Sequence, residues 1–205
     1  MSGGFQDAYT YFTRDEVFSN AQTGNVVLMS HNFMTGQWGD GLRYLFPILA
    51  FDIGVVAAER IQNTFKYAKK LHWRQMILLI EILILFAVGF MPGELDMLAT
   101  VLVSFSCAMQ VEAFRKMHGM AFATTMCTGN LRSGTELLAV GTLENNGEQR
   151  KYGLWYYWID LVFVAGAAAS ALLCQVLAER AVWVCAAALL SAILFIRYHR
   201  RMAEV

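Results

Sequence analysis

The sequence predicts an all-α membrane protein with about six transmembrane helices, arranged as two inverted three-helix repeats with a broken or re-entrant first helix in each. Three observations predict this: long apolar runs, the position of the basic residues between them, and a repeated Thr-Gly-Asn sequence. Of the 205 residues, 57% are hydrophobic and 16% are charged. A soluble domain of this length needs a more highly charged surface. The apolar runs make the lipid bilayer the expected partner. The net charge is zero, so nothing points to nucleic acid.

The apolar runs give six predicted spans, because a helix needs about 20 apolar residues to cross the hydrocarbon core. Two of the six are too long and too polar to be simple helices. We expect each of these to be a helix, a break near residues 13–16 or 115–119, and a second helical piece. The predicted spans cover residues 3–34, 42–65, 73–91, 95–140, 152–178 and 181–198.

An internal repeat accounts for the two broken spans. The Thr-Gly-Asn sequence of residues 23–25 recurs at residues 128–130, and similar residues align before and after it. Each half, residues 1–91 and residues 92–205, then holds three spans, and an odd number of spans inverts the second half in the membrane. The aligned pairs are Asp7 with Glu112, Arg43 with Lys151, and Asp52 with Asp160. By comparison of the halves, we also expect the first span to lack about ten residues at its N-terminus.

The charges between spans predict the orientation. Residues 60–74 and the C-terminus are both basic, and basic loops stay in the cytoplasm. The turn at residues 92–96 contains two acids and no base, so we expect it on the outside. Both termini are then cytoplasmic. The basic residues are Arg60, Lys66, Lys69, Lys70, Arg74, Arg197, Arg200 and Arg201.

The two Thr-Gly-Asn segments are the predicted substrate-binding residues. A threonine can cap a helix start, a glycine allows close approach of the backbone, and an asparagine offers both a donor and an acceptor. A helix that begins inside the membrane would present free N–H groups and a positive dipole end. The structural alternative is that the glycines pack helices and the asparagines join them. The residues are Thr23, Gly24, Asn25, Thr128, Gly129 and Asn130.

Acidic residues within the spans form a second candidate set. An ionisable group in hydrocarbon costs several kcal/mol unless it is paired or hydrated. We expect four of them to serve ion or proton coupling at one central site, with a purely structural pairing as the alternative: Asp7, Asp52, Glu112 and Asp160. For Glu81, which has no counterpart in the repeat, we favour the structural interpretation. Candidate partners for the acids are Arg14, Arg132 and Lys116.

The cysteines and histidines indicate neither a metal site nor catalysis. The four cysteines form no CxxC pair, and the four histidines lack ligand spacing. No nucleotide loop and no nucleophile motif is present. We therefore expect no cofactor, no metal and no enzyme activity.

Nearly the whole chain resembles a known family, and the most specific residues lie near its start. Residues 4–9, Gly-Phe-Gln-Asp-Ala-Tyr, followed by the Gln-Thr-Gly-Asn of residues 22–25, resemble the YoaK-like family of bacterial inner-membrane proteins, a domain of unknown function. The resemblance continues through Asp52 to the second Thr-Gly-Asn. It implies a multi-pass protein of the bacterial inner membrane and supplies no substrate and no catalytic residues.

The function favoured by these patterns is a small secondary transporter or permease for a polar or anionic solute. The alternative is a non-transporting membrane scaffold or accessory protein whose polar residues are structural. A homodimer is compatible with either. The two functions differ in one structural expectation: a transporter needs the Thr-Gly-Asn segments and the acids to converge on one cavity.

Overall fold

A computed structural model describes residues 1–66, 72–117, 120–121 and 125–203. Within these ranges the chain is all-α, as predicted, except for one antiparallel pair of two-residue strands, β1 (Lys116–Met117) and β2 (Met120–Ala121). Short 3₁₀ turns precede α5 and α8. The eight α-helices are α1 (Ser2–Thr13), α2 (Gln22–Met34), α3 (Trp38–Phe65), α4 (Trp73–Val88), α5 (Asp96–Ala113), α6 (Cys127–Leu143), α7 (Gly147–Leu177) and α8 (Val182–Ala203).

Three helical stretches of the described chain are long and apolar enough to cross a membrane: Trp38–Phe65, Gly93–Ala113 and Gly147–Phe195. The last of these joins α7 and α8. Helices α1, α2, α4 and α6 have 12, 13, 16 and 17 residues, fewer than the ~20 needed to cross the hydrocarbon alone. Length and composition therefore support a helical membrane protein, and the count of six spans stays a prediction.

Each of the two long predicted spans is divided between two helices. Residues 3–34 form α1 and α2, and residues 95–140 form α5 and α6. The first break follows Arg14, where Asp15 and Glu16 both have positive φ angles, 59° and 57°. Two such residues in succession end the right-handed helix and turn the chain back on itself. The charged sequence that predicted this interruption is therefore the point at which α1 ends.

Helix α1 lies antiparallel to α5 in the core. Three contacts set this direction: the Ser2 hydroxyl donates to Gln110 (2.9 Å), the Cys107 thiol donates to Gln6 (2.9 Å), and Arg14 pairs with Asp96 (2.6 Å). The core around α1 also contains apolar side chains of α4 and α8. A 12-residue helix is thus held on several sides by longer helices, and its position is fixed by packing and not by its own length.

The two ends of the bundle are defined by polar contacts. At one end, the Arg14 end, Arg14 reaches the carbonyls of Val88 and Met91 and the Asp96 carboxylate. At the other, the Arg74 end, Arg74 donates to the Ala113 carbonyl (2.9 Å). The end of α4 and the start of α5 therefore lie at the Arg14 end.

Candidate functional site

A cavity of about 600 Å³ lies between α1, the starts of α2 and α6, and α7. Its lining combines hydroxyl, amide and carboxyl groups with aromatic rings. The lining residues are Gly4, Asp7, Ala8, Tyr11, Phe12, Phe18, Asn20, Ala21, Gln22, Thr23, Thr125, Met126, Cys127, Thr128, Gly129, Phe163 and Ala167. Parts of both Thr-Gly-Asn segments therefore meet at one cavity, although they are 105 residues apart in the chain.

Helices α2 and α6 both begin at this cavity without a side-chain cap. Their N-cap residues are Ala21 and Met126, and neither helix has an acidic residue in its first turn. This corrects the expected capping role of the threonines, because Thr23 and Thr128 each lie one residue inside the helix. The first N–H groups of an α-helix have no partner within it. At the start of α2, the N–H groups of Gln22, Gly24 and Asn25 have carbonyl partners in the turn. The two starts therefore bring the positive ends of two helix dipoles to the same space.

The two short helices leave the cavity in opposite directions. The far end of α2 brings Phe33 against Gly41, and nearby Arg43 pairs with Asp15 (3.7 Å) next to Arg14. Helix α2 thus runs to the Arg14 end. The far end of α6 packs on the start of α7 through Gly141 and Arg150.

The far end of α7 shows which way α6 runs. At that end, the carbonyl of Glu179 accepts from the Tyr9 hydroxyl (3.0 Å), and Tyr9 is a partner of Arg14. The end of α7 therefore lies at the Arg14 end and its start lies at the Arg74 end. Helix α6 consequently runs toward the Arg74 end, opposite to α2.

Asp7 is the carboxylate at the cavity. Its Oδ1 accepts from the Ser19 hydroxyl (3.1 Å) and from the backbone N–H of Asn20 (2.6 Å). Both donors lie in the segment that leads into α2, so Asp7 fixes the start of α2 against α1. Next to Gly3 of α1, the Thr125 hydroxyl is buried and has no hydrogen-bond partner among the described residues. An unpartnered buried hydroxyl costs free energy, and here it borders a space that can hold a ligand.

Asn25 does not line the cavity. Its side chain is fully buried; Oδ1 accepts from the N–H of Phe18 (3.1 Å), and Nδ2 donates to the carbonyl of Phe18 (2.7 Å) and to Gln22 (2.9 Å). The carboxamide thereby replaces the backbone partners that Phe18 loses at the break in the first span. Within the first segment, Thr23 lines the cavity, Gly24 packs against the Phe18 ring, and Asn25 holds the segment in place.

In the second segment, Thr128 and Gly129 line the cavity and Asn130 turns away from it. The Asn130 carboxamide donates to Oδ1 of Asp160 (2.9 Å), and the Cys127 thiol also hydrogen-bonds to this carboxylate. Asp160 is buried on α7, so it fixes the first turn of α6 as Asp7 fixes the entry to α2. The two carboxylates occupy positions that do not correspond in the repeat.

Two of the predicted coupling residues lie away from the cavity. Asp52 is exposed on α3, in contrast to its repeat counterpart Asp160. Glu112 pairs with Arg115 (3.1 Å), which also contacts Glu59 (3.7 Å) at the Arg74 end. The expected convergence of all four acids is therefore not seen: only Asp7 lines the cavity, and Asp160 is linked to it through the lining residue Cys127.

The basic residues named as candidate partners are also placed elsewhere. Arg14 pairs with Asp96, and Arg132 pairs with Glu136 one turn along α6 (3.2 Å). The Lys116 side chain lies outside the described part of the chain. No arginine or lysine is among the residues that line the cavity. The positive ends of the two helix dipoles, and not cationic side chains of the lining, are therefore its source of positive potential.

Several cavity residues were not identified from the sequence. Thr125, Cys127, Tyr11, Phe18 and Phe163 line it but belong to no repeated motif. Tyr11 and Phe18 stack with ring centroids 4.8 Å apart, across the break between α1 and α2. For Phe18, its position close to the first Thr-Gly-Asn in the sequence could have indicated that it lines the cavity. Phe163 lies far from both motifs in the sequence, and no sequence pattern indicated its place in the cavity.

Among the described residues, no group of three or more His, Cys, Asp or Glu side chains is placed to hold a metal ion. No curated protein and no solved structure matches the chain. One family model matches residues 1–196, almost the whole chain, under the description "Protein of unknown function (DUF1275)". The YoaK-like resemblance is consistent with this match. The chain therefore belongs to the DUF1275 family of proteins of unknown function.

Proposed function

We propose that this protein is a small secondary transporter of the bacterial inner membrane, with the cavity at the starts of α2 and α6 as its solute site. The observation that carries the proposal is that two uncapped helix starts, one from each half of the chain, open onto one cavity. Broken helices that begin at a central site, from repeats of opposite orientation, are a recurring arrangement in secondary transporters.

The packing of the helices supports an inverted repeat. If α1 to α4 correspond to α5 to α8, the pair α1 with α7 corresponds to α5 with α3, and both pairs pack together. The pair α2 with α3 likewise corresponds to α6 with α7, and α4 packs on its own counterpart α8. The opposite directions of α2 and α6 agree with this relation. In a protein built from two inverted halves, each half can adopt the conformation of the other. This exchange gives the protein two conformations, one open to each side of the membrane.

The lining favours a small solute with an anionic or strongly polar group. The hydroxyls of Thr23, Thr125 and Thr128 are hydrogen-bond donors, and the aromatic rings offer apolar contact. The two helix starts add positive dipole ends. The volume of about 600 Å³ is in the range of small-molecule sites. Because Asp7 also borders the cavity, an anion binds best when this carboxylate carries a proton or has a cation beside it. This requirement would couple the solute to a proton or cation.

A scaffold role has its own support in the buried asparagines. Asn25 is saturated by the chain itself, and Asn130 is bonded to Asp160, as expected of residues that only hold helices together. The cavity distinguishes the two functions, because a scaffold has no need for uncapped helix starts beside an unpartnered buried hydroxyl.

Gly129→Leu tests the proposal. A Cβ at Gly129 would meet nothing within 4 Å, so a leucine can enter the cavity without disturbing the fold. Purified protein would first be screened by thermal shift against small carboxylates, phosphate, sulfate and neutral amides. A solute at 100 times its Kd stabilises the folded state by about 2.7 kcal/mol. We expect this stabilisation in the wild type and its loss in Gly129→Leu.

Gly39→Leu is the matched control. Gly39 also lies in the first turn of a helix, a Cβ there would also meet nothing within 4 Å, and it does not line the cavity. This variant should keep the solute response of the wild type. If no solute in the panel stabilises the wild type, or if one stabilises Gly129→Leu equally well, the cavity is not the solute site.

The proposed orientation places the Arg74 end and the C-terminus in the cytoplasm. Helix α8 begins beside the end of α4, where Trp183 donates to the Phe86 carbonyl (3.1 Å), and so it runs to the Arg74 end with the basic C-terminus. In a cysteine-free background, we expect a membrane-impermeant maleimide added to spheroplasts to label Glu94→Cys and not Asn63→Cys. Labelling of Asn63→Cys in intact spheroplasts would reverse the topology.

A further inference from the structure

A second polar cluster lies in the core beside the cavity, around Glu81 in the middle of α4. Glu81 is fully buried, and its Oε1 accepts from Nε2 of Gln6 (2.7 Å). Its Oε2 has no hydrogen-bond partner among the described residues. No cationic side chain in that part of the chain contacts the carboxyl group. A structural acid is normally paired or fully hydrogen-bonded, and Glu81 is neither.

Hydrogen bonds and one sulfur–oxygen contact connect Glu81 to the cavity. The Cys107 thiol donates to Oε1 of Gln6 (2.9 Å), so one carboxamide links the glutamate to the cysteine. The Cys107 sulfur lies 3.7 Å from the Ser19 hydroxyl, which donates to Oδ1 of Asp7 (3.1 Å). The cluster, here called the Glu81 chain, consists of Glu81, Gln6, Cys107, Ser19 and Asp7. The Glu81 chain runs from the buried core to the wall of the cavity.

We propose that Glu81 is the proton-binding site of this protein and that its occupancy is linked to the cavity through the Glu81 chain. The inference rests on the proposed function and names the coupling ion for that site. An ionised carboxylate with one amide donor in an apolar core is costly, so Glu81 carries a proton in this conformation. When Glu81 loses its proton, the carboxylate binds the Gln6 N–H donor more strongly. The Gln6 carboxamide then changes its contact with Cys107. The change at Cys107 in turn alters the contact of Ser19 with Asp7.

Glu81 and Asp7 are the two carboxyl groups of the Glu81 chain, and Glu81 is the one that lies away from the cavity. Two elements bring titratable groups to Glu81: α5 contributes Cys107 and α8 contributes Cys185. One step further away, Asp7 of α1 acts on Cys107 and the N-terminal amine acts on Cys185. Helix α3 also packs against α4, but no charged side chain from the described part of α3 acts on Glu81. The neighbouring thiols are buried and neutral, which keeps further negative charge away from the carboxyl group.

Infrared difference spectroscopy of the full-length protein in phospholipid vesicles tests the first half of the proposal. On going from acidic to alkaline buffer, we expect the carbonyl band of a protonated, buried carboxyl group to disappear. The band should be smaller in Glu81→Gln, a change that keeps the shape of the side chain, and unchanged in Glu94→Gln, in the turn before α5. Asp7 is also buried and can contribute the remainder of the band. A band of unchanged size in Glu81→Gln overturns the assignment. If Glu81→Gln does not fold, Glu81→Asp replaces it and should shift the band and its titration.

Asp7→Asn and Gln6→Leu test the link to the cavity. The Asp7 charge acts on Cys107, in the middle of the Glu81 chain. If the chain transmits this effect to Glu81, Asp7→Asn should lower the midpoint of the Glu81 band by about one pH unit. Removal of the Gln6 donor should raise the midpoint by a similar amount. Unchanged midpoints in both variants overturn the link. These titrations need no solute, so their failure is distinguishable from a failure of the solute screen, which tests the transporter proposal itself.

Discussion

Replacement of Arg14 by methionine should lower the free energy of unfolding by about 3–5 kcal/mol, the usual cost of removing one partner from a buried ion pair. The Arg14 side chain is fully buried and pairs with Asp96 at 2.6 Å. It also donates to the Tyr9 hydroxyl and to the carbonyls of Val88 and Met91. The end of α1, the end of α4 and the start of α5 thus depend on one guanidinium group. Methionine keeps part of the side-chain volume but leaves the carboxylate and the carbonyls without their donor.

Arg43→Met is the matched control at the same end of the bundle. Arg43 pairs with Asp15 (3.7 Å) and Asp40 (3.3 Å), but its side chain is 41% exposed. Exposed pairs contribute about 0–1 kcal/mol, so this change should have little effect. Arg14→Lys should fall between the two, because an ammonium group cannot reproduce the fork of donors. Unfolding in mixed detergent micelles, followed by tryptophan fluorescence, gives the free energies. Equal losses in Arg14→Met and Arg43→Met would contradict the role assigned to Arg14.

A second variant separates charge from packing at this position. If the unpaired Asp96 carboxylate causes most of the loss, Arg14→Met combined with Asp96→Leu should be more stable than Arg14→Met alone. The carbonyls of Val88 and Met91 would still lack a donor, so the recovery should be incomplete. No recovery would mean that these carbonyls carry most of the effect.

The breaks in the fold were predictable because they depend on local sequence. The charges of residues 14–16 cannot continue an apolar helix, and α1 ends there. The repeated Thr-Gly-Asn predicted two helix starts, and α2 and α6 each begin one residue before the threonine. A duplicated pattern in one sequence thus carries information about where the backbone must change direction.

The roles of individual polar residues were not predictable in the same way. Asn25 was expected to bind solute, but its partner is the backbone of Phe18, a contact that exists only once the break has folded. Asp52 and Asp160 align in the repeat, and one is exposed while the other is buried. Tertiary packing decides which face of a span points into the protein. Two halves with the same sequence pattern can therefore bury different faces.

Glu81 shows most clearly that the surroundings of a polar residue cannot be predicted from the sequence. Its lack of a counterpart in the repeat favoured a structural interpretation, yet it has one amide donor and an unpartnered oxygen. The available signal was next to Asp7: Gln6 occupies a buried position in the first motif, and a glutamine in an apolar helix needs partners. The identity of these partners, on α4 and α5, required the fold.

Gly54→Leu should prevent α3 and α5 from packing and leave little folded protein. A Cβ at Gly54 would clash with the backbone carbonyl of Phe105 and would lie 2.8 Å from the Ala108 Cβ. A backbone carbonyl in a helix cannot move aside as a flexible side chain can, so the helices must separate. Overpacking of a core typically costs about 1–3 kcal/mol, and leucine exceeds the added methyl group by three further carbons. Because leucine is the better residue for a membrane helix, any loss reports packing alone.

Val56→Leu provides the comparison on the same helix. Val56 is 54% exposed, so one more methylene there should leave the fold unchanged. Gly54→Ala should lower stability less than Gly54→Leu. Adding Ala108→Gly to the Gly54→Ala protein should restore part of the lost stability, because it removes the contact with the Ala108 Cβ. The carbonyl of Phe105 remains, so full recovery is not expected. The amount of monodisperse protein on size exclusion and its thermal midpoint measure each step. A Gly54→Leu protein as stable as Val56→Leu would show that α3 and α5 do not approach each other this closely in the membrane.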